Sequence, residues 1–448
     1  MHRQMISLMG LSDIGDRIVG AYGEESSGMA VTDGSLVARA AKNPSLLMAV
    51  RESLNDGGVA ALLPELSGTE YVENVRSRIA DFCRGRPDGA GGLLVFPTSG
   101  STGEPKLVAL ATAGIESFMG WGREYFSFGE DTVSLSVSPW SFDVSLLDTW
   151  AVLAAGGRVI AAEPRRLTDA SYVARLLDGD QVTFVQAVPS TLGHLVAAAA
   201  PGASFHAVED VVVTGGVAHP ALRQAAAALF PRARFHNVYG STEVNDCLIY
   251  TCSADEFGVA TALPLGDAID GCQVLLDAEI PLSTQRPYPI GAEGELWART
   301  PWMAAGYLRD GQLVPLVKNY GAPYPMRDRA RVDGDGTLRY LGRTDRTVKI
   351  RGQRVDLDQI EDAARSTGLV GDVCAWADTE GHVQELNLAC VAHADVAAAP
   401  GLRFRLQLSQ RLPPYAMPNR IHHFDESLPL NSNGKPHLAR IRAQLESE

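Results

Sequence analysis

Hydrophobic positions along the chain follow different rhythms in different stretches. From Leu93 to about residue 260, short aliphatic and β-branched runs alternate with Ala-rich amphipathic ones. Val182–Ala187 predicts a strand, Thr191–Ala200 a helix, Val211–Val213 a strand and Ala221–Leu229 a helix. That alternation predicts an α/β region built on a largely parallel sheet. Residues 1–82 carry Ala- and Leu-rich runs that predict helical segments. Arg84–Gly92 is a turn-rich joint before the apolar strand Leu93–Phe96. Residues 260–342 read as β-rich, punctuated at Pro289–Gly294 and Asp333–Gly336, with a hairpin turn leading to Tyr340 and Leu341. The last hundred residues mix both patterns and predict a small α+β domain. The expected joint near Gly342–Arg346 divides the chain into 1–342 and 343–448.

Composition narrows the class. A length of 448 residues suits two or more domains. Hydrophobic and charged shares of 46% and 21% are those of a soluble globular protein. No apolar run approaches the ~18 residues of a membrane span. Met1–Gly20 holds only a short apolar stretch, Met5–Leu11, followed by Asp13 and Asp16, so no export signal is expected. Six scattered cysteines without a CxxC pair argue against a disulfide framework or a zinc site, and a reducing cytoplasm is the expected location. A formal charge of −14 argues against nonspecific binding to nucleic acid or anionic membrane.

The chemistry begins at Thr98-Ser-Gly-Ser-Thr-Gly-Glu-Pro-Lys106, directly after a predicted strand. Small residues let backbone approach an anion, hydroxyl and amide groups donate to phosphate oxygens, and Lys106 adds a point charge. The spacing is not that of a Walker loop. A Ser/Gly/Thr-rich turn by itself is usually a solvated loop, but this order resembles the nucleotide loop of the adenylate-forming superfamily. Pro97 and Leu107 depart from the usual pattern.

Further motifs follow in the order of that superfamily. Asn237-Val-Tyr-Gly-Ser-Thr-Glu243 resembles its second nucleotide motif. Tyr239 offers a ring face for adenine, Thr242 a hydroxyl for phosphate and Glu243 a hard oxygen for Mg²⁺. Gly294-Glu-Leu-Trp-Ala with Gly306-Tyr-Leu308 resembles a structural motif to which no chemistry is assigned. Tyr324-Pro-Met-Arg-Asp328 places Asp328 where the superfamily has a ribose-binding carboxylate. Leu341-Gly-Arg-Thr-Asp-Arg-Thr-Val-Lys-Ile-Arg-Gly352 implies a nucleotide contact at Arg343 and a hinge at Asp345. Leu428-Pro-Leu-Asn-Ser-Asn-Gly-Lys435 implies a catalytic lysine, Lys435, on a small mobile domain.

By this resemblance the fold is a large α/β domain with parallel sheets and a β-rich subdomain, plus the small α+β domain. The cofactors are ATP and Mg²⁺, and the catalytic residues are Lys435, Glu243 and Thr242. The ATP-binding residues are Thr98, Ser99, Gly100, Ser101, Thr102, Gly103 and Lys106 of the loop, then Gly215, Asn237, Tyr239, Gly240, Ser241, Asp328 and Arg343. The implied reaction joins a carboxylate to AMP and then passes the acyl group to a thiol.

Phe142-Asp143-Val-Ser145 resembles the motif whose aspartate meets a substrate α-ammonium; a helix-capping aspartate is the other reading. The implied side-chain wall is Val144, Leu147, Gln186, Val212, Thr214, Val238, Asp246 and Cys247. It suits a small neutral amino acid, glycine or alanine first and serine next, although Asp246 could meet a hydroxyl or amine. The chain holds no GGxS phosphopantetheine motif, so the thiol is expected in trans, on a carrier protein or coenzyme A. Arg403, Arg405, Arg411 and Arg420 are candidates to meet an acidic carrier. The chain thus resembles stand-alone adenylation enzymes of nonribosomal peptide synthesis and D-alanine–carrier protein ligases. The competing readings are an acyl- or aryl-CoA ligase and a non-catalytic nucleotide-binding relative; a dinucleotide enzyme is disfavoured because no GxGxxG follows a strand.

Overall fold

The computed structural model describes residues 17–19, 30–32, 35–40, 42–87, 89–98, 105–179, 181–282, 288–319, 321–343, 346–378, 384–392, 401–425, 427–429 and 436–447. The chain divides into two compact units. One comprises Met1–Glu65, Arg78–Pro97 and Leu107–Asp345; the other comprises Leu66–Ser77, Thr98–Lys106 and Arg346–Glu448.

The first unit contains an eight-stranded sheet. Its central strands Arg158–Ala161, Val133–Ser136, Phe184–Ala187, Asp210–Thr214 and Arg234–Ser241 run parallel. Asn245–Ser253 then turns back antiparallel. Both faces are covered, as parallel strands require. Phe184 and Val212 enter one apolar cluster, while Val185, Ala187, Val211 and Val213 enter another on the opposite face. The predicted elements are found as Phe184–Ala187, Pro189–Ala198, Asp210–Thr214 and Pro220–Leu229.

Residues 1–82 depart from the helical expectation. Helices Pro44–Asn55 and Thr69–Arg84 are present, but Ala30–Thr32, Ser35–Arg39 and Val59–Leu63 are strands of a seven-stranded sheet. Every residue of Val59–Leu63 is buried. A strand buried on both faces has no polar alternation, so its apolar run cannot be told from a buried helix by period alone.

The β-rich region forms a five-stranded sheet that includes Glu293–Arg299, Tyr324–Val332 and Leu338–Arg343. Its predicted turn is closed by Gly336 N–H donating to Asp333 O at 2.9 Å. In the second unit, strands Val370–Asp378, Glu385–Ala392 and Arg420–Phe424 pair, and helices Leu357–Arg365 and Gly401–Arg411 contribute to the same core through Ile360, Phe404 and Leu408. Residues 344 and 345, in the expected joint, lie outside the described residues.

Candidate active site

Strand alternation assembles the expected side-chain wall. Gln186 lies opposite Val212 in register, and Thr214 lies opposite Val238. Residues of like parity on paired strands share a face, so these four line the same side of the sheet. Leu147 joins Val212 and Val238 in one apolar cluster. Cys247 packs with Tyr239, Val244 and Leu248 in another, so the wall draws on two cores. Gln186 is 1% exposed and its Oε1 has no hydrogen-bond partner among the described residues.

Leu146–Ala151 is a π-helix, a local widening often found at functional sites. Just before it stands Asp143, partly accessible yet enclosed enough that burial raises its pKa to about 6. The nearby charge of Glu243 adds to that rise. A hydrogen bond from the Thr242 hydroxyl opposes it, as do bonds from the N–H groups of Asp143 and Val144. The carboxylate therefore bonds its own local backbone rather than capping the helix, whose N-cap Ser145 makes no side-chain cap bond, and it also touches the second nucleotide motif.

That motif is a hairpin. Strands Arg234–Ser241 and Asn245–Ser253 are antiparallel, with a register shift between Tyr239 and Gly240, and the connection carries Thr242 and Glu243. A Cβ on Gly240 would lie 2.0 Å from Asn245 O, so only glycine fits the bulge. Glu243 is 1% exposed, and its Oε1 accepts from Tyr307 Oη at 3.0 Å. Tyr324 Oη lies 2.8 Å from Tyr307 Oη. Because Tyr307 spends its hydrogen on Glu243, Tyr324 supplies the one between them. Burial first, then the Glu243 charge, pushes the Tyr307 hydroxyl far above its usual range.

The segment that carries Tyr307 straps the hairpin at three more points. Thr300 Oγ1 donates to Val244 O at 2.7 Å, Trp302 Nε1 to Asp246 O at 3.0 Å, and Ala304 N–H to Glu243 O at 2.8 Å. Sequence reasoning assigned this segment no chemistry; the only available signal was an aromatic residue beside a glycine.

Asp328 is 1% exposed. Its Oδ2 accepts from Tyr239 Oη at 2.6 Å; its Oδ1 accepts from Arg343 Nη1 at 2.9 Å and Tyr340 Oη at 3.3 Å. Asp328 and Arg343 are direct register partners, which explains the ion pair. Three of the roughly four acceptor positions of a carboxylate are thus engaged. A ribose with two hydroxyls would have to displace a protein donor, and Tyr340 holds the longest of the three bonds. Asn237 Nδ2 donates to Pro264 O at 2.7 Å, so its side chain serves the backbone here.

Of the phosphate loop, Ser99, Gly100, Ser101, Thr102 and Gly103 lie outside the described residues, as do Asp345 and Lys435. Thr98 ends the strand Leu93–Thr98, its buried Oγ1 without a hydrogen-bond partner among the described residues, and Lys106 begins the strand Lys106–Ala111. Gly215, with φ +76°, follows the strand Asp210–Thr214 directly.

Around Ser136, the register partner of Gln186 in the expected wall, lies a polar cluster that sequence reasoning missed. Lys42 is 0% exposed and donates from Nζ to Ser136 O at 2.5 Å. Asp148 is equally buried and bonds Thr149 Oγ1 at 2.7 Å, which bonds Ser136 Oγ at 3.0 Å. Burial pushes Lys42 down and Asp148 up, each partly offset by the charge of the other.

With this geometry in place, comparison with known proteins defines the class. Residues 51–308 match the family of AMP-binding enzymes, and the chain belongs to that family. It is 33% identical over 352 residues to tyrocidine synthase 3 of Brevibacillus parabrevis, covering 76% of this chain and 5% of that protein. It is 29% identical over 347 residues to an L-proline–[L-prolyl-carrier protein] ligase of Streptomyces coelicolor, covering 77% and 64% respectively. The chain therefore spans less than two thirds of the length of these relatives. Among solved structures, an NRPS protein containing adenylation and PCP domains, bound to a vinylsulfonamide inhibitor, superposes with a TM-score of 0.72. That match has 23% identity and covers 91% of this chain and 75% of the other. The Vibrio cholerae adenylation domain AlmE, in complex with glycyl-adenosine-5'-phosphate, gives 0.66 at 20% identity, covering 92% and 79%. The fold is that of adenylation domains.

Proposed function

We propose that this chain activates the carboxylate of a small neutral amino acid as its adenylate and passes the aminoacyl group to the phosphopantetheine thiol of a separate carrier protein. One observation carries most of the weight. Asp143, from the expected amino-acid motif, is hydrogen-bonded by Thr242 and feels the charge of Glu243, both from the expected nucleotide motif. This adjacency supports an ammonium site next to a phosphate site. In the first step a carboxylate oxygen attacks the α-phosphorus of ATP, and the bond to pyrophosphate breaks. Asp143 orients the substrate through its ammonium, so that its carboxylate faces the nucleotide. Thr242 donates toward phosphate oxygen, where preorganised donors matter most.

Mg²⁺ fits this donor set. Among the described residues no group of three or more His, Cys, Asp or Glu could cage a metal. A single buried carboxylate, Glu243, held by Tyr307, suits an ion that keeps most of its shell as phosphate oxygen and water. When bound, the ion would supply charge neutralisation between two anions. Lys435, by resemblance, supplies the mobile cation. The apolar Leu147, Val212 and Val238 support a short side chain, and relatives that act on amino acids and carriers support the choice of substrate and acceptor.

The test is amino-acid-dependent ATP–pyrophosphate exchange over the proteinogenic amino acids and their D forms. Exchange with glycine, alanine or serine is expected, falling about 10²–10³-fold in Lys435→Ala. Exchange driven equally well by plain fatty or aryl acids, and unaffected by Asp143→Ala, would reject the amino-acid assignment.

A further inference from the structure

The helix Gly401–Arg411 buries Phe404 and Leu408. At 3.6 residues per turn, the direction opposite those two belongs to Leu402 and Leu406. They are 85% and 60% exposed. Single exposed leucines are ordinary, but these stand one turn apart and form a continuous apolar crest. Arg403 and Arg405 are exposed on its two flanks.

The charge around the crest runs against the rest of the molecule. Residues 401–420 hold Arg403, Arg405, Arg411 and Arg420 and no acidic residue, in a chain of formal net charge −14; Arg411 pairs with Glu70 and Arg420 with Glu385, so Arg403 and Arg405 form the rim. Arg405 Nη2 donates to Pro418 O at 3.1 Å, which fixes its stem beside the crest. An apolar centre with an arginine rim is the composition of a protein-binding face, the leucines giving contact area and the arginines giving register and steering.

We propose that this crest docks the acidic, helical carrier protein that brings the acceptor thiol. The proposal rests on the functional reading above and names where on the second unit its partner binds. Charge complementarity favours that occupant over a second copy of this chain, which would set arginine against arginine. Phosphate-rich nucleic acid would gain nothing from two leucines at the centre of the face.

Two variants test it, Leu402→Glu/Leu406→Glu and Arg403→Glu. The acceptors are a panel of purified acidic holo-carrier proteins and, separately, free pantetheine. Both variants should keep amino-acid-dependent pyrophosphate exchange and aminoacylation of free pantetheine within about twofold of the parent. Their KM for an accepted carrier should rise at least about tenfold, and Arg403→Glu should weaken the salt dependence of loading. An unchanged carrier KM in both variants overturns the crest. So does a parent chain that loads pantetheine but no carrier, or a parent dimer that the leucine variant dissociates. Absence of exchange in the parent rejects the earlier reading instead, so the two failures are separable.

Discussion

At the scale of single residues, Asp143 makes the sharpest demand. Burial holds its carboxyl near 6, so the protonated form, which has no attraction for an ammonium, grows as pH falls below that value. In the proposed reaction kcat/KM for the amino acid should be level above about pH 6 and fall about tenfold per unit below it. Asp143→Asn should lower the plateau and erase the bend; an identical bend in that variant assigns the titration elsewhere. Tyr307 is the second case. Its hydroxyl spends its one hydrogen on Glu243, and outer-shell partners of this kind typically change metal affinity 10–100-fold. Tyr307→Phe should weaken Mn²⁺ binding to the enzyme–ATP complex by about tenfold, read by electron paramagnetic resonance. Unaltered Mn²⁺ affinity would leave the tyrosine pair a packing feature. Asp143 and Glu243 were singled out in the sequence because each sits in a short motif of fixed order. Tyr307 was not, since its role appears only when a strand distant in sequence comes alongside.

At the scale of elements, the hairpin and the buried pair behave differently. Gly240 was readable as a motif glycine, but the reason for it was not. The bulge brings Asn245 O to where a side chain would begin. Gly240→Ala should cost about 1–3 kcal/mol in chemical denaturation; a neutral effect would mean that the bulge relaxes freely. Lys42 and Asp148 gave no signal, because they are distant in sequence and the fold brings them together around Ser136. Lys42→Met should destabilise by about 3–5 kcal/mol by leaving Asp148 uncompensated, and Lys42→Met/Asp148→Leu should recover most of it. A double variant no better than the single would show that the pair is not coupled. The buried strands of the first 82 residues were misread for a related reason: full burial removes the alternation that distinguishes a strand.

At the scale of the whole molecule, the α/β alternation and the β-rich region were legible from hydrophobic period, and the nucleotide motifs from their order along the chain. The proposed side-chain wall was not readable from pattern alone, since its members come from four strands, a helix and the turn before it, and become neighbours through register and packing. If the segment at Asp345 serves as the hinge, Asp345→Pro should spare pyrophosphate exchange and block thiol loading; equal slowing of both half-reactions would reject the hinge. A last consequence follows from the strap over the nucleotide hairpin. The carbonyl oxygens of Glu243, Val244 and Asp246 each already hold a donor from residues 300–304. The turn therefore acts as an anvil, set in place before any triphosphate arrives. The amide protons of Ala304 and Val244, held by Glu243 O and Ser241 O, should exchange as slowly in the empty protein as in the loaded one, and ordering on binding must fall on other parts of the chain.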